Sequence, residues 1–261
     1  DNDIFLLSGS GTAGMEAAVG SVVGKGDKVI AIENGKFGER FKDIAALYAD
    51  VVPAVFEWGL PIDLELIKEK LEEGAKAITL VHNETSTGIL NPAAEIGKLA
   101  RKHDALFIMD GVTSIGGDDV RVDEWGVDIA VVGSQKCLAA PPGLSIVSVS
   151  EKAFEAMKEV TKRPYYNDLL AYKKSGDKPK PETPYTPAIP LFYALQEALH
   201  IIKEEGMDAR IKRHRILSEA VRAAVAELNI EMFPQLNESS HYSNTISAMK
   251  APTGIEGEDI K

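Results

Sequence analysis

Short apolar, β-branched runs alternate along the chain with stretches whose apolar positions recur at helical spacing. That alternation predicts repeated βα units. The runs predict strands at Ile4–Leu7, Lys28–Ile32, Val51–Phe56, Ala77–Val81, Leu106–Met109, Ile129–Val132 and Leu144–Val149. The helical spacing falls at Thr12–Val23, Phe37–Ala49, Asp63–Glu72, Pro92–His103, Glu151–Lys162, Ile189–Glu205 and Asp208–Leu228. Asn91 can cap free N–H groups, and Pro92 at the first helical position loses no hydrogen bond. Strands alternating with helices imply a mostly parallel sheet covered on both faces.

The pattern breaks at Pro164–Pro190, which gathers Tyr165, Tyr166, Tyr172 and Tyr185 among closely spaced prolines. It predicts a long irregular connection, of the kind that is either functional or disordered. Two long helices follow, and Glu231–Phe233 with Thr245–Met249 suggests a second sheet. The expected division is a large α/β domain over 1–205 and the start of a smaller α+β domain over 206–261. The chain has no initiator Met, opens directly before a strand and ends inside a helical pattern. It is therefore expected to be a piece of a longer protein.

Composition adds exclusions. The 261 residues are 44% hydrophobic and 26% charged, ordinary globular material. The net charge of −11 argues against a nucleic-acid or anionic-membrane partner. One cysteine permits no intrachain disulfide and points to a reducing compartment, hence a cytoplasmic protein. No apolar run is long enough to cross a membrane. The five histidines show no metal-ligand spacing, so no metal is expected.

Candidate chemistry collects where strands end. Lys136 follows the run Asp128–Val132 after a small-residue turn, and CLAAPPG (Cys137–Gly143) cannot continue the strand. An amine at such an edge can be desolvated and used to form a Schiff base. Gly9-Ser10-Gly11-Thr12-Ala13-Gly14 links a strand to a helix, and Glu33 ends the next strand. Three readings stay open: a tight turn, a phosphate site at a helix N-terminus, or a dinucleotide fingerprint with its ribose acid. Asp110 ends the run ALFIMD, either as a turn residue or as a carboxylate awaiting a cationic partner. His82-Asn83-Glu84-Thr85-Ser86-Thr87-Gly88 is a polar loop at the same edge. Phe37, flanked by glycines, is a core ring or a plate for a heterocycle. Cys137 adjoins Lys136 but reads as a small buried apolar group.

The order of these features resembles class V aminotransferases, in the alanine–glyoxylate and serine–pyruvate branch. Archaeal members that use aspartate or alanine are similar. The resembling stretches are SGSGTAGMEAAV from Ser8, GKFGERF from Gly35, HNETSTG from His82, MDGVTSIGG from Met109, GSQKCLAAPPG from Gly133 and YTPAIPLFYAL from Tyr185. The resemblance implies an α/β fold of the aspartate-aminotransferase type, with pyridoxal 5′-phosphate as cofactor. It implies that Lys136 forms the internal aldimine and shuttles the substrate proton, while Asp110 holds the ring nitrogen. Val112 would pack under the ring and Phe37 over it. Gly11, Thr12, Ala13 and Gln135 would bind the phosphate, and Thr85 would reach the ring hydroxyl. Thr186 would cross to the phosphate of a partner subunit in a homodimer. The implied reaction is ping-pong transfer from alanine, serine or aspartate to glyoxylate, pyruvate or 2-oxoglutarate.

Thr12, Thr183 and Gly111 depart from common family residues, and the substrate-carboxylate arginine is expected past Lys261. Three rival readings remain, one of them not an enzyme but a subunit of the pyridoxal phosphate fold kept for assembly. A cysteine desulfurase of the same fold class would resemble a chain with His at Gln135 and at Phe37. A nicotinamide-dependent oxidoreductase would use Gly9–Gly14 with Glu33.

Overall fold

The computed structural model describes residues 2–260. Strands β1 (Asp3–Ser8), β2 (Lys28–Glu33), β3 (Asp50–Val55), β4 (Ala77–Val81), β5 (Asn83–Glu84), β6 (Ile89–Leu90), β7 (Leu106–Asp110), β8 (Ile129–Gly133), β9 (Leu144–Val149) and β10 (His241–Tyr242) run through it. Seven form one sheet in the order β1-β9-β8-β7-β4-β2-β3. β8, β7, β4, β2 and β3 are mutually parallel, and β9 is antiparallel to both β8 and β1. The mostly parallel sheet expected from the βα alternation is present. Two reversals leave β1 parallel to β8, so its carboxyl end joins the same edge as the others.

The helices are α1 (Gly11–Val22), α2 (Lys36–Ala45), α3 (Leu64–Glu72), α4 (Ala93–Lys102), α5 (Val122–Trp125), α6 (Glu151–Glu159), α7 (Leu169–Gly176), α8 (Ile189–Glu205) and α9 (Met207–Glu227). Strand periodicity sorts the core between two faces. Val29, Ile108, Ile129 and Val131 pack with α1, α2 and α6 residues such as Met15, Phe41 and Phe154. Ile30, Ile32, Phe107, Met109 and Ala130 pack on the other side with Ile67, Leu71 and Ile96 of α3 and α4. Asp110 shares the parity of Ile108, so it belongs to the face covered by α1 and α2.

Local corrections have local causes. Pro92 takes the cap position of α4 rather than its first turn, and Asn91 makes no cap bond. Its side chain instead bonds the Val81 carbonyl at 2.8 Å and Asn34, tying β4 to the segment after β2. The 164–190 stretch is not irregular throughout. Asp168 caps α7 by accepting from Leu170, and Tyr185 stacks on Tyr166 with centroids 4.9 Å apart. The strands expected at Glu231–Phe233 and Thr245–Met249 reduce to one bridge between Met232 and Met249. Ser243 Oγ accepts from the Thr245 and Ile246 amides, a turn that competes with a ladder. The small sheet is β10-β6-β5.

One glycine shows how tightly the helical layer closes. A Cβ on Gly97 of α4 would stand 1.8 Å from the Trp125 carbonyl oxygen. Gly97→Ala is expected to lower stability by about 3 kcal/mol. A urea midpoint equal to that of the parent would refute the close approach.

Candidate active site

The carboxyl ends of β1, β2, β4, β7 and β8 bring the predicted residues to one edge. Val112 is the hub. A Cβ on Gly11 would lie 2.7 Å from Val112 Cγ2, and one on Gly133 would lie 3.2 Å from Val112 Cγ1. The Gly-rich turn, the Asp110 loop and the Lys136 loop therefore meet around one side chain. Asp110 and Val131 are register partners on adjacent strands.

At α1 the geometry suits an anion. Ser10 makes no side-chain cap, and the first turn carries no acid. Among the described residues no acceptor meets the Gly11 or Thr12 amide. Such N–H groups, with the helix dipole behind them, bind phosphate. Arg40 of α2 adds a guanidinium: Nη1 donates to Thr12 Oγ1 at 3.2 Å, and its carbon sits 4.7 Å from the Phe37 ring centroid. Gln135 lies beside Gly133, with a buried amide oxygen that has no donor. Turned over, the same amide presents two N–H groups. Ala13 continues the turn, its amide bonded to Ser10.

Asp110 is only 5% exposed. The Val112 amide donates to it at 2.8 Å. Burial nevertheless pushes its carboxyl up to about 7, with the Glu84 charge adding to the rise and Val112 and Arg40 opposing it. A buried acid with a single amide donor suits a cationic N–H partner.

Glu84 is fully buried in a hairpin made by β5 and β6. It accepts from the amides of Phe37 and Gly38 at 3.2 and 3.0 Å, and from Ser86 Oγ at 2.6 Å. This carboxylate caps α2 and so sets the Phe37 ring. Thr85 Oγ1 lies 2.9 Å from Thr113 Oγ1, which donates onward to the Asn83 carbonyl. Buried His82 places Nδ1 2.9 Å from Ser114 Oγ, and burial drives its pKa down to about 3. Its ring is neutral and braces the Asp110 turn.

Lys136 is exposed rather than desolvated. It borders a cavity of about 410 Å³ shared with Thr113, Cys137, His214, Ser218 and Thr245. Its amine makes no hydrogen bond or ion pair among the described residues. Cys137 is buried, and desolvation pushes its thiol up to about 11. Thr186 is exposed on the stretch before α8 and does not line this cavity, although Ala188 two residues on donates to Ser8 Oγ at the end of β1. Glu33, the ribose acid of the dinucleotide reading, pairs instead with Lys42 at 2.5 Å. Sequence reasoning missed Arg40, Glu84, Thr113 and Thr245, although the first three lie inside the resembling stretches.

Free amides at the start of α1, an acid raised by burial and an exposed amine along one edge of this sheet suit an enzyme of the pyridoxal-phosphate type. The chain belongs to the class V aminotransferases: the family described as Aminotransferase class-V matches residues 1–260. Across its whole length the chain is 48% identical to an uncharacterized aminotransferase of Methanocaldococcus jannaschii, spanning 68% of that protein. It is 39% identical to the serine–glyoxylate aminotransferase of Methylorubrum extorquens and spans 67% of it. The crystal structure of the ureidoglycine–glyoxylate aminotransferase from Bacillus subtilis superposes with a TM-score of 0.91 at 32% identity, covering 99% of this chain and 67% of that one. The family makes the enzyme a transaminase and implies pyridoxal phosphate.

Proposed function

We propose that the protein moves an amino group from a small L-amino acid (alanine, serine or aspartate) to a 2-oxo acid such as glyoxylate, pyruvate or 2-oxoglutarate, in two half-reactions at one site. The observation that carries this reading is the convergence on Val112, just after Asp110, of Gly11 and of Gly133, the residue that leads into the Lys136 loop. The residues fit pyridoxal phosphate. The free amides of Gly11 and Thr12, the turn at Ala13, the Thr12 hydroxyl, Arg40 and Gln135 would hold the phosphate. Asp110 would hold the ring nitrogen, Val112 and Phe37 the two ring faces, and Thr85 the ring hydroxyl. When bound, the cofactor supplies an aldehyde for the lysine and an electron sink for the substrate carbanion.

The chain's own part is proton handling. Lys136 Nζ would accept the proton of the substrate α-carbon, hold it as the conjugate acid and release it on the far side of the nitrogen, as a general acid–base does. Asp110 stays ionised once a pyridinium N–H meets it, because an opposite charge offsets its desolvation. Residues of α9 form one wall of the cavity that the amine borders.

Exposed Thr186, with Ile189, Tyr193, Leu199 and Ile201 exposed on α8, supports a homodimer in which this stretch reaches the partner's phosphate. The division at 205–206 places α9 at the start of the smaller domain. No described helix is long and apolar enough to cross a membrane. The free thiol of Cys137 supports a cytoplasmic setting.

The test is the visible absorption of the protein with pyridoxal phosphate, before and after L-alanine, L-serine or L-aspartate. A yellow band should bleach with the amino donor and return with glyoxylate or pyruvate. No band, or a band that borohydride does not fix onto Lys136, overturns the reading. Cysteine should release no sulfide, since a desulfurase needs a mobile thiolate and Cys137 is buried. Arg40→Gln should weaken cofactor binding about 10-fold or more, the loss of one charge-assisted contact. Unchanged affinity would remove Arg40 from the cradle.

A further inference from the structure

Arg210, on α9, is 7% exposed, and arginine is rarely this buried without partners. Its fork reaches three acceptors. Nε donates to the Gly116 carbonyl at 2.8 Å, Nη2 to the Cys137 carbonyl at 2.5 Å, and Nη1 to Glu205 Oε2 at 3.1 Å. Gly116 belongs to the turn that leaves Asp110, and Cys137 follows Lys136. One guanidinium thus joins the loop of the acid to the loop of the amine.

The two loops touch but are not otherwise bonded. A Cβ on Gly116 would stand 3.3 Å from Cys137 Cβ, and one on Gly117 would stand 3.3 Å from Cys137 Sγ. Among the described residues no hydrogen bond runs directly between 112–118 and 134–140. Glu205 supplies the counter-charge and is itself shared with Arg213 at 2.5 Å. Its carboxyl is held down at about 2, first by Arg213 and also by Arg210, so it stays charged. A cation this buried, balanced by one carboxylate, is weak as a stability device compared with an apolar side chain of its size. Its directional bonds to two separate carbonyls are better explained by placement.

We propose that Arg210 is a positioning residue. It pins the Lys136 loop to the Asp110 loop and so fixes the amine against the ring-nitrogen carboxyl, a role that rests on the cofactor reading above. α9 also supplies His214, Leu217, Ser218 and Val221 to the wall of the lysine's cavity. The helix that pins the loop therefore shapes the space the lysine enters.

The sole cysteine gives a readout that needs no cofactor. The Cys137 thiol lies at the seam that Arg210 closes. In the cofactor-free chain, iodoacetamide should label Cys137 roughly 10-fold or more faster in Arg210→Met than in the parent. That rate should be indifferent to low urea, the mark of local rather than global opening. Arg210→Lys should fall between the two, because a point donor cannot span both carbonyls. With saturating pyridoxal phosphate, Arg210→Met should lose about 10²-fold in kcat with KM little changed, the cost of an amine misplaced by roughly 1 Å. Parent-like labelling and parent-like kcat in Arg210→Met overturn the proposal. Where that variant does not fold, the same result in Arg210→Lys does so. Fast labelling of Arg210→Met, combined with no borohydride adduct on Lys136 of the parent, supports the loop pin and overturns the cofactor reading instead.

Discussion

Lys136→Ala is expected to abolish transamination, by about 10⁴-fold or more, and to leave the fold as it was. The activity loss would combine two roles, since on the proposed function the amine both anchors the cofactor and carries the substrate proton. The indifference of the fold follows from the site. Lys136 is exposed, and its amine has no partner among the described residues. Removing such a side chain changes stability by no more than about 0.5 kcal/mol. The loop does not depend on it. Ser134 holds the turn through Oγ, which donates to the Pro141 carbonyl at 2.7 Å, and Arg210 grips Cys137. Single-turnover kinetics with L-alanine and a urea titration, run on the same preparation, check both halves. Residual turnover within ten-fold of the parent removes Lys136 from catalysis. A large fall in the urea midpoint would show that the loop leans on the lysine after all.

The sheet was legible because its strands carry their own signal. Ala77–Val81 and Ile129–Gly133 are almost wholly apolar runs, with Thr79 the one hydroxyl, and a strand covered on both sides calls for that. The class V resemblance was also legible, since GSQK and APPG bracket a turn whose spelling is restricted. Lys136 was read at the right edge, but its exposure was not: burial is set by what stands opposite, and α9 begins some seventy residues later. Arg40, Glu84 and Arg210 escaped for the same reason. Arg40 and Arg210 are ordinary charges on helices, and Glu84 an ordinary charge in a polar loop, until the chain folds. Glu84 then caps a helix that starts at Lys36, and Arg210 meets carbonyls of Gly116 and Cys137. No periodicity encodes such partners. α7 was hidden by its proline-rich surroundings, although Asp168 before Leu169-Leu170 offered a capping signal.

Asp110→Asn should separate function from stability in opposite directions. Asparagine keeps the shape and can still accept from the Val112 amide. It cannot supply the charge that a pyridinium N–H requires, so kcat/KM should fall about 10²-fold or more. The cofactor-free chain should become more stable. Asp110 titrates near 3.8 when unfolded and near 7 when buried. Between those values the folded chain keeps a proton that the unfolded chain has lost, so stability falls as pH rises through the window. Above it the full penalty stands, on the order of 2–4 kcal/mol, and the amide removes it. His82 works the other way. Its pKa drops from 6.5 to about 3 on burial, so its contribution is lost as pH falls through that range. The two windows overlap and flatten the parent's profile, and the informative quantity is therefore the difference between variant and parent. That gain should be largest near pH 8 and vanish near pH 4. Pyridoxal phosphate should reverse the order, because it stabilises the parent by meeting Asp110 and has less to meet in the variant. A gain in urea midpoint that is the same at pH 4 and pH 8 would mean that the buried carboxyl is not what the amide relieves. A variant that the cofactor stabilises as strongly as it does the parent would mean that Asp110 does not hold the ring nitrogen.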